Sequence, residues 1–202
     1  AKPAVEREDP GVAAAGAWAR RFFYITGACV IVGSLSLWTL IFAQQWNVHY
    51  IWKNTNIALP FGFRFAAFWS DQEGTFFLWA LYNTILGAVL LRKAKVDERW
   101  VMPFFSLINV SLFTLLTFMN PFWLHSAEEV KKQLTEMGAT PEMLTFLPKD
   151  LGEHIAYYFG WGKYAKMTDG RGLNESLQNF WMVIHPPTLF VGYSSMIIPA
   201  CY

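Results

Sequence analysis

The segment best suited to metal chemistry is His185-Pro186-Pro187. A proline pushes the residue before it out of the helical region, and here a second proline follows at once. Pro187 is suited to begin a helix, where its missing N–H is no loss. The expectation is a stiff, extended corner that carries one imidazole. A pre-organised imidazole loses little entropy on binding, as an axial ligand to haem iron requires. The other reading is an interfacial histidine bonded to water and lipid headgroups.

Aromatic residues crowd the regions around it. Trp46, Tyr50, Trp52, Phe61, Phe63, Phe65, Phe68 and Trp69 share one loop, and Trp123, Trp161 and Trp181 lie on the same side. The alternation in Phe61-Gly-Phe-Arg-Phe65 predicts an extended segment with its rings on one face and Arg64 on the other. A flat apolar macrocycle needs such a face, with Trp69 and Trp181 as surround and one or two cations, Arg64 and Arg171, for its propionates. The alternative is an aromatic belt at headgroup level.

Ser70-Asp-Gln-Glu73 resembles an acidic active site, but its spacing is that of a capping box, and acidic groups favour a helix N-terminus. It is read as structural. His49, His125 and His154 have no ligand-like spacing to one another and are read as structural or solvated. Cys29 and Cys201 sit in apolar runs and read as small membrane hydrophobes.

The elements that must position these residues are mostly apolar. The chain has 202 residues, 54% of them hydrophobic and only 15% charged, against nearly a quarter charged in an ordinary soluble domain. Membrane spans are expected at Phe22–Ala43, Gly74–Leu91 and Val101–Met119, each long enough at ~1.5 Å per residue to cross the hydrocarbon core. A fourth is expected over Pro187–Tyr202. It holds only about 15 apolar residues, too few for a full crossing, so a truncated span in a fragment is expected. The fold class is an all-α polytopic membrane protein, a bundle of about four transmembrane helices with aromatic-rich loops. Residues 1–21 read as a polar lead-in, 44–73 as the aromatic loop, 92–100 as a tight basic turn and 120–184 as a long outer segment. Within that segment Ser126–Glu129 has capping-box spacing and opens a short polar helix. Asn174 caps an expected interfacial helix, 174–184, whose Leu177, Phe180, Trp181 and Ile184 share a face and would deliver His185 to the membrane surface.

Arg92, Lys93, Lys95 and Arg99 crowd the basic turn, and Lys2, Arg7, Arg20 and Arg21 precede the first span. The positive-inside bias places both in the cytoplasm, with residues 44–73 and 120–184 on the periplasmic side of a bacterial inner membrane. A formal net charge of +1 excludes nucleic acid as a partner, since no basic patch dominates.

Three stretches together carry a family resemblance. They are Asn54-Thr-Asn-Ile-Ala-Leu-Pro60 with Arg64–Trp69; Gln72-Glu-Gly-Thr-Phe-Phe-Leu-Trp79; and Gly170-Arg-Gly-Leu-Asn174 running through Gln178 to Ile184-His-Pro-Pro-Thr-Leu-Phe-Val-Gly-Tyr193. The chain resembles the N-terminal part of the CcmF-type cytochrome c haem lyases, within the wider haem-handling family that includes CcsA-type synthases. The resemblance covers most of Phe22–Tyr202; Ser126–Met167 fits poorly and reads as an insertion. It implies that His185 is the first of two periplasmic axial ligands to haem iron. It implies haem b as substrate, received from a haem chaperone and joined by thioether bonds to the Cys-x-x-Cys-His thiols of an apocytochrome c, with other maturation subunits as partners. The tryptophan-rich segment and the second ligand of that family are absent from these 202 residues. Arg64 and Arg171 as propionate partners rest on charge and placement alone.

Two other classes compete with a haem lyase subunit. A transporter of haem or another small molecule would carry ionisable residues at mid-membrane, where this chain offers only Asn83 and Asn109. In a haem-free membrane anchor of a respiratory complex, His185 would be incidental.

Overall fold

A computed structural model describes residues 10–93, 98–124, 132, 135 and 169–201. Four long helices form the frame: α1 (Pro10–Phe42), α4 (Gln72–Lys93), α5 (Glu98–Phe118) and α6 (Phe180–Cys201). Two short helices, α2 (His49–Asn54) and α3 (Phe61–Ala66), and a 3-10 turn at Ala67–Trp69 fill the connection between α1 and α4. A second 3-10 turn at Glu175–Leu177 precedes α6. Among the described residues the only extended pairing is an isolated bridge, Val48 to Leu124.

The protein is an all-α polytopic membrane protein. Three helices, Gly11–Phe42, Gln72–Lys93 and Val101–Phe118, are long and apolar enough to cross a membrane. Their outer faces carry large apolar side chains open to the surroundings, among them Phe22, Ile25, Val32, Leu35, Phe104 and Leu107, as suits a helix facing lipid. The 33 residues of α1 extend ~50 Å, well beyond a hydrocarbon core of ~30 Å. Pro10 begins that helix, a position where proline loses no hydrogen bond.

Helix α4 is the hub and packs against α1, α5 and α6. Small residues allow the approach: the Gly27 position lies against Thr84, Gly33 against Phe77, and Gly87 against Phe23 and Phe105. Tertiary packing and van der Waals contact hold such helices together where lipid offers no hydrophobic drive. Three layers of core result. Leu37, Ile41, Phe68, Trp69 and Leu78 pack at one end, Val30, Ala80 and Leu112 in the middle, and Leu90, Phe105, Ile197 and Cys201 at the other.

Two expected local structures differ. Phe61–Phe65 is helical rather than extended. Pro60 precedes its first turn, and Phe61 and Phe65, four apart, stack on Phe42 and Trp38, which are four apart on α1, at 5.4 and 5.2 Å. Helical spacing matches helical spacing, and that packing overrides a five-residue alternation. The second difference is α6, which runs unbroken through Pro186 and Pro187 from Phe180. The expected interfacial helix 174–184 is replaced by the short 3-10 turn, with Asn174 accepting from the Ser176 amide, and by the first turn of α6 itself. His125, His154, Trp161 and nearly all of Ser126–Met167 lie outside the described residues.

Candidate functional site

The continuity of α6 has a specific cause. A proline at position 186 has no N–H, so the carbonyl of Met182 loses its helical donor. The indole N–H of Trp69 donates to that carbonyl at 3.0 Å. Neighbouring elements that take up freed backbone groups are what make proline tolerable inside membrane helices. Trp69 is therefore buried and engaged, and it ties the aromatic loop to the helix that carries His185. Phe65 meets its ring edge-on at 5.3 Å, and Phe68 at 6.3 Å.

His185 lies three residues beyond Met182, about one turn along α6. Its side chain is exposed and has no hydrogen bond among the described residues. Trp181 and Leu189, four residues before and after it, share its face of the helix, and Trp181 is 70% exposed. The imidazole thus stands on a fixed backbone with apolar surface on both sides and free nitrogen lone-pair capacity.

The two arginines have different situations. The Arg64 guanidinium donates to the carbonyls of Leu59 at 3.1 Å and Ile57 at 3.3 Å, and its Nε is buried without a partner among the described residues. It shapes the loop before α3. The Arg171 side chain is exposed, while its backbone N–H bonds the Trp52 carbonyl at 2.7 Å. No hydrogen bond among the described residues joins either arginine to His185.

Gly170–Asn174 is docked onto the 52–57 loop. Beside the Arg171 bond, the Asp169 carboxylate accepts from the Ile57 amide at 2.9 Å. Gly170 lies so close to the Thr55 carbonyl that any Cβ there would overlap it, and Gly172 has φ +89° beside Asn56. Glycine is needed at 172 because a side chain resists that φ. Two regions far apart in sequence therefore meet, 54–79 and 170–193.

The loop's remaining aromatics are mostly structural. Trp46 donates to Thr55 Oγ1 at 3.2 Å, and the buried Tyr50 hydroxyl is placed 2.9 Å from both the Ala67 and the Phe68 carbonyls. Burial drives the Tyr50 phenol well above its ordinary pKa, so it stays a donor. The start of α4 is also not the expected capping box. The Ser70 hydroxyl donates back to Ala67 at 3.0 Å, while Asp71 accepts from the Gln72 amide at 2.9 Å and pairs with Lys53. A helix starting at Gln72 makes Asp71, not Ser70, its cap. Asp71 is engaged structurally, whereas one Glu73 carboxylate oxygen is buried without a partner among the described residues. Among the described residues no group of His, Cys, Asp and Glu could hold a metal ion by itself. What sequence reasoning missed is the Met182 carbonyl; the signal was the proline four residues later.

The family model described as cytochrome C assembly protein matches residues 69–202. The cytochrome c-type biogenesis protein CcmF of Pseudomonas fluorescens is 29% identical over 156 residues, covering 74% of this chain and 18% of the relative. That of Haemophilus influenzae is 27% identical over 191 residues, covering 92% of this chain and 24% of the relative. The biogenesis protein CycK of Rhizobium meliloti is 24% identical, over 82% of this chain and 20% of its own length. The chain spans about a quarter or less of the length of the curated relatives it matches. No solved structure matches.

Proposed function

The chain belongs to the cytochrome c assembly protein family, and we propose that it is the haem-receiving part of a cytochrome c haem lyase, with His185 as one axial ligand to the iron. The observation that carries this is an exposed imidazole, unengaged among the described residues, on a helix turn whose freed carbonyl is held by Trp69. Fixing the backbone in advance lowers the entropy lost on ligation. Trp181 and Leu189 supply apolar surface beside the ring plane. Arg171, exposed, suits a propionate better than Arg64, which is spent on the Ile57 and Leu59 carbonyls. Trp69 serves the site as a positioning residue rather than as haem surround.

Haem is the substrate, and its vinyl groups provide the chemistry: each takes up the S–H of an apocytochrome c thiol to give a thioether. The residues of this chain hold and orient, so proximity is their contribution. A haem chaperone as donor and other maturation subunits as partners belong to the same reading. So does a bacterial inner membrane with the His185 end facing the periplasm. Arg92 and Lys93 close α4 at its opposite end, as the positive-inside bias asks of a cytoplasmic side.

The test is visible absorption of the purified full-length protein, wild type against His185→Ala. Loss of the haem band in the variant, with recovery on adding imidazole, supports the ligand. An unchanged spectrum in a folded variant overturns it.

A further inference from the structure

Polar side chains inside the membrane helices are mostly satisfied by their own helix. Ser34 donates to the Val30 carbonyl, Thr84 to Ala80 and Asn109 to Phe105, each four residues back. Asn83 and Ser194 behave differently. Both are fully buried, and among the described residues neither the Asn83 amide oxygen and nitrogen nor the Ser194 hydroxyl has a partner. The buried Trp79 Nε1 is also unpartnered among the described residues.

These atoms lie on α4 and α6, two helices that pack against each other. Trp79 and Asn83 are four residues apart on α4, and Phe190 and Ser194 are four apart on α6. The Trp79 ring meets Phe190 at 5.8 Å and Tyr193 at 6.1 Å, which sets the register of the two helices. One turn deeper along each helix come Asn83 and Ser194, and below them the Leu90–Phe105–Ile197 layer closes the bundle. Asn83 lies 11 residues into α4, ~16 Å from its start and so near mid-membrane.

We infer that Trp79, Asn83 and Ser194 form a mid-membrane hydration site that holds one or two ordered waters between α4 and α6. The donor set selects this ligand. Whichever way its amide is turned, Asn83 presents one donor group and one acceptor. A cation would meet the Trp79 and Asn83 N–H groups. An anion would leave the Asn83 oxygen unmet. Water alone satisfies donors and acceptors together, and a buried water needs two to four polar partners, the number that Trp79, Asn83 and Ser194 would offer. The site makes the packing of α4 on the His185-bearing helix partly water-mediated, and it stands independently of the haem reading.

Hydroxyl-radical labelling by radiolysis in ¹⁸O-water, on the full-length protein in nanodiscs, tests it. Held water oxidises its neighbours even at lipid depth. Trp79, Phe190 and Tyr193 are expected to label several-fold above the lipid-facing Phe104 and Leu107, with exposed Trp123 reporting radical delivery. Asn83→Leu and Ser194→Ala should each lower that labelling toward the lipid-facing level. Wild-type labelling no higher than Phe104 and Leu107, with Trp123 labelled, overturns the site without any variant. So does labelling unchanged in Ser194→Ala.

Discussion

Replacing Trp69 by phenylalanine keeps a ring against Phe65 and Phe68 and deletes one N–H. The Met182 carbonyl, already without a helical donor because residue 186 is proline, then has none. Met182 is half-buried, so the loss falls in the lower part of the range for an unsatisfied buried acceptor, about 1–2 kcal/mol. At ~1.4 kcal/mol per factor of ten, opening of the first turns of α6 should become about 5- to 30-fold more frequent. Hydrogen exchange of a peptide covering 178–190, read by mass spectrometry in the full-length protein, measures it. Pro186→Ala provides the internal control, because alanine restores the N–H that Met182 would have had. In that background Trp69→Phe should change exchange by less than about 3-fold. Equal effects in the two backgrounds, or wild-type protection in Trp69→Phe alone, would refute the coupling between the indole and the proline gap.

Other substitutions follow from the same end of the bundle. Gly74→Ala sets a Cβ against the Phe68 carbonyl and the Tyr50 hydroxyl; a thermal melt should show a loss of about 1–3 kcal/mol or a failure to accumulate. Tyr50→Phe takes its hydroxyl donor from the Phe68 carbonyl and from the Ala67 carbonyl, which keeps the Ser70 hydroxyl, and should destabilise by about 1–3 kcal/mol at neutral pH. Because the folded phenol titrates above its ordinary value near 10, its contribution is complete below that pH. It fades as pH rises beyond, where the unfolded chain ionises first, so the difference between wild type and Tyr50→Phe should shrink only in alkali. Lys53→Met breaks the pair with Asp71, whose side chains are 43% and 24% exposed; a loss under about 1 kcal/mol that vanishes in high salt is expected in the same melts.

Long helices were legible in part, because a charge-free apolar run of about 20 residues admits few other structures in lipid; yet α1 begins at Pro10, inside the expected lead-in 1–21, and α6 at Phe180 rather than Pro187. The runs at Gly74–Leu91 and Val101–Met119 lie within one or two residues of α4 and α5 at most ends. Short elements were not legible in the same way. Phe61–Phe65 carries an alternation that suits a strand, yet its rings found partners at helical spacing on α1. A five-residue pattern cannot state what it will pack against. His185-Pro-Pro illustrates the opposite failure: the local rule says the helix breaks, and a donor 113 residues away in sequence keeps it whole.

By itself the sequence determined the solvent of this protein, the number of long apolar runs, the histidine worth testing and the family it resembles. These depend on composition, run length and residue identity, which need no partner. Only the tertiary structure decided which groups are spent and which are available. Trp69 and Arg64, both suited by type to surround a haem, are engaged with carbonyls, whereas His185 has no partner among the described residues, and Asn83 and Ser194 are buried without partners there on two helices distant in sequence. Hydrogen-bond satisfaction is a property of neighbours in space, and the chain sets those neighbours only once it has folded.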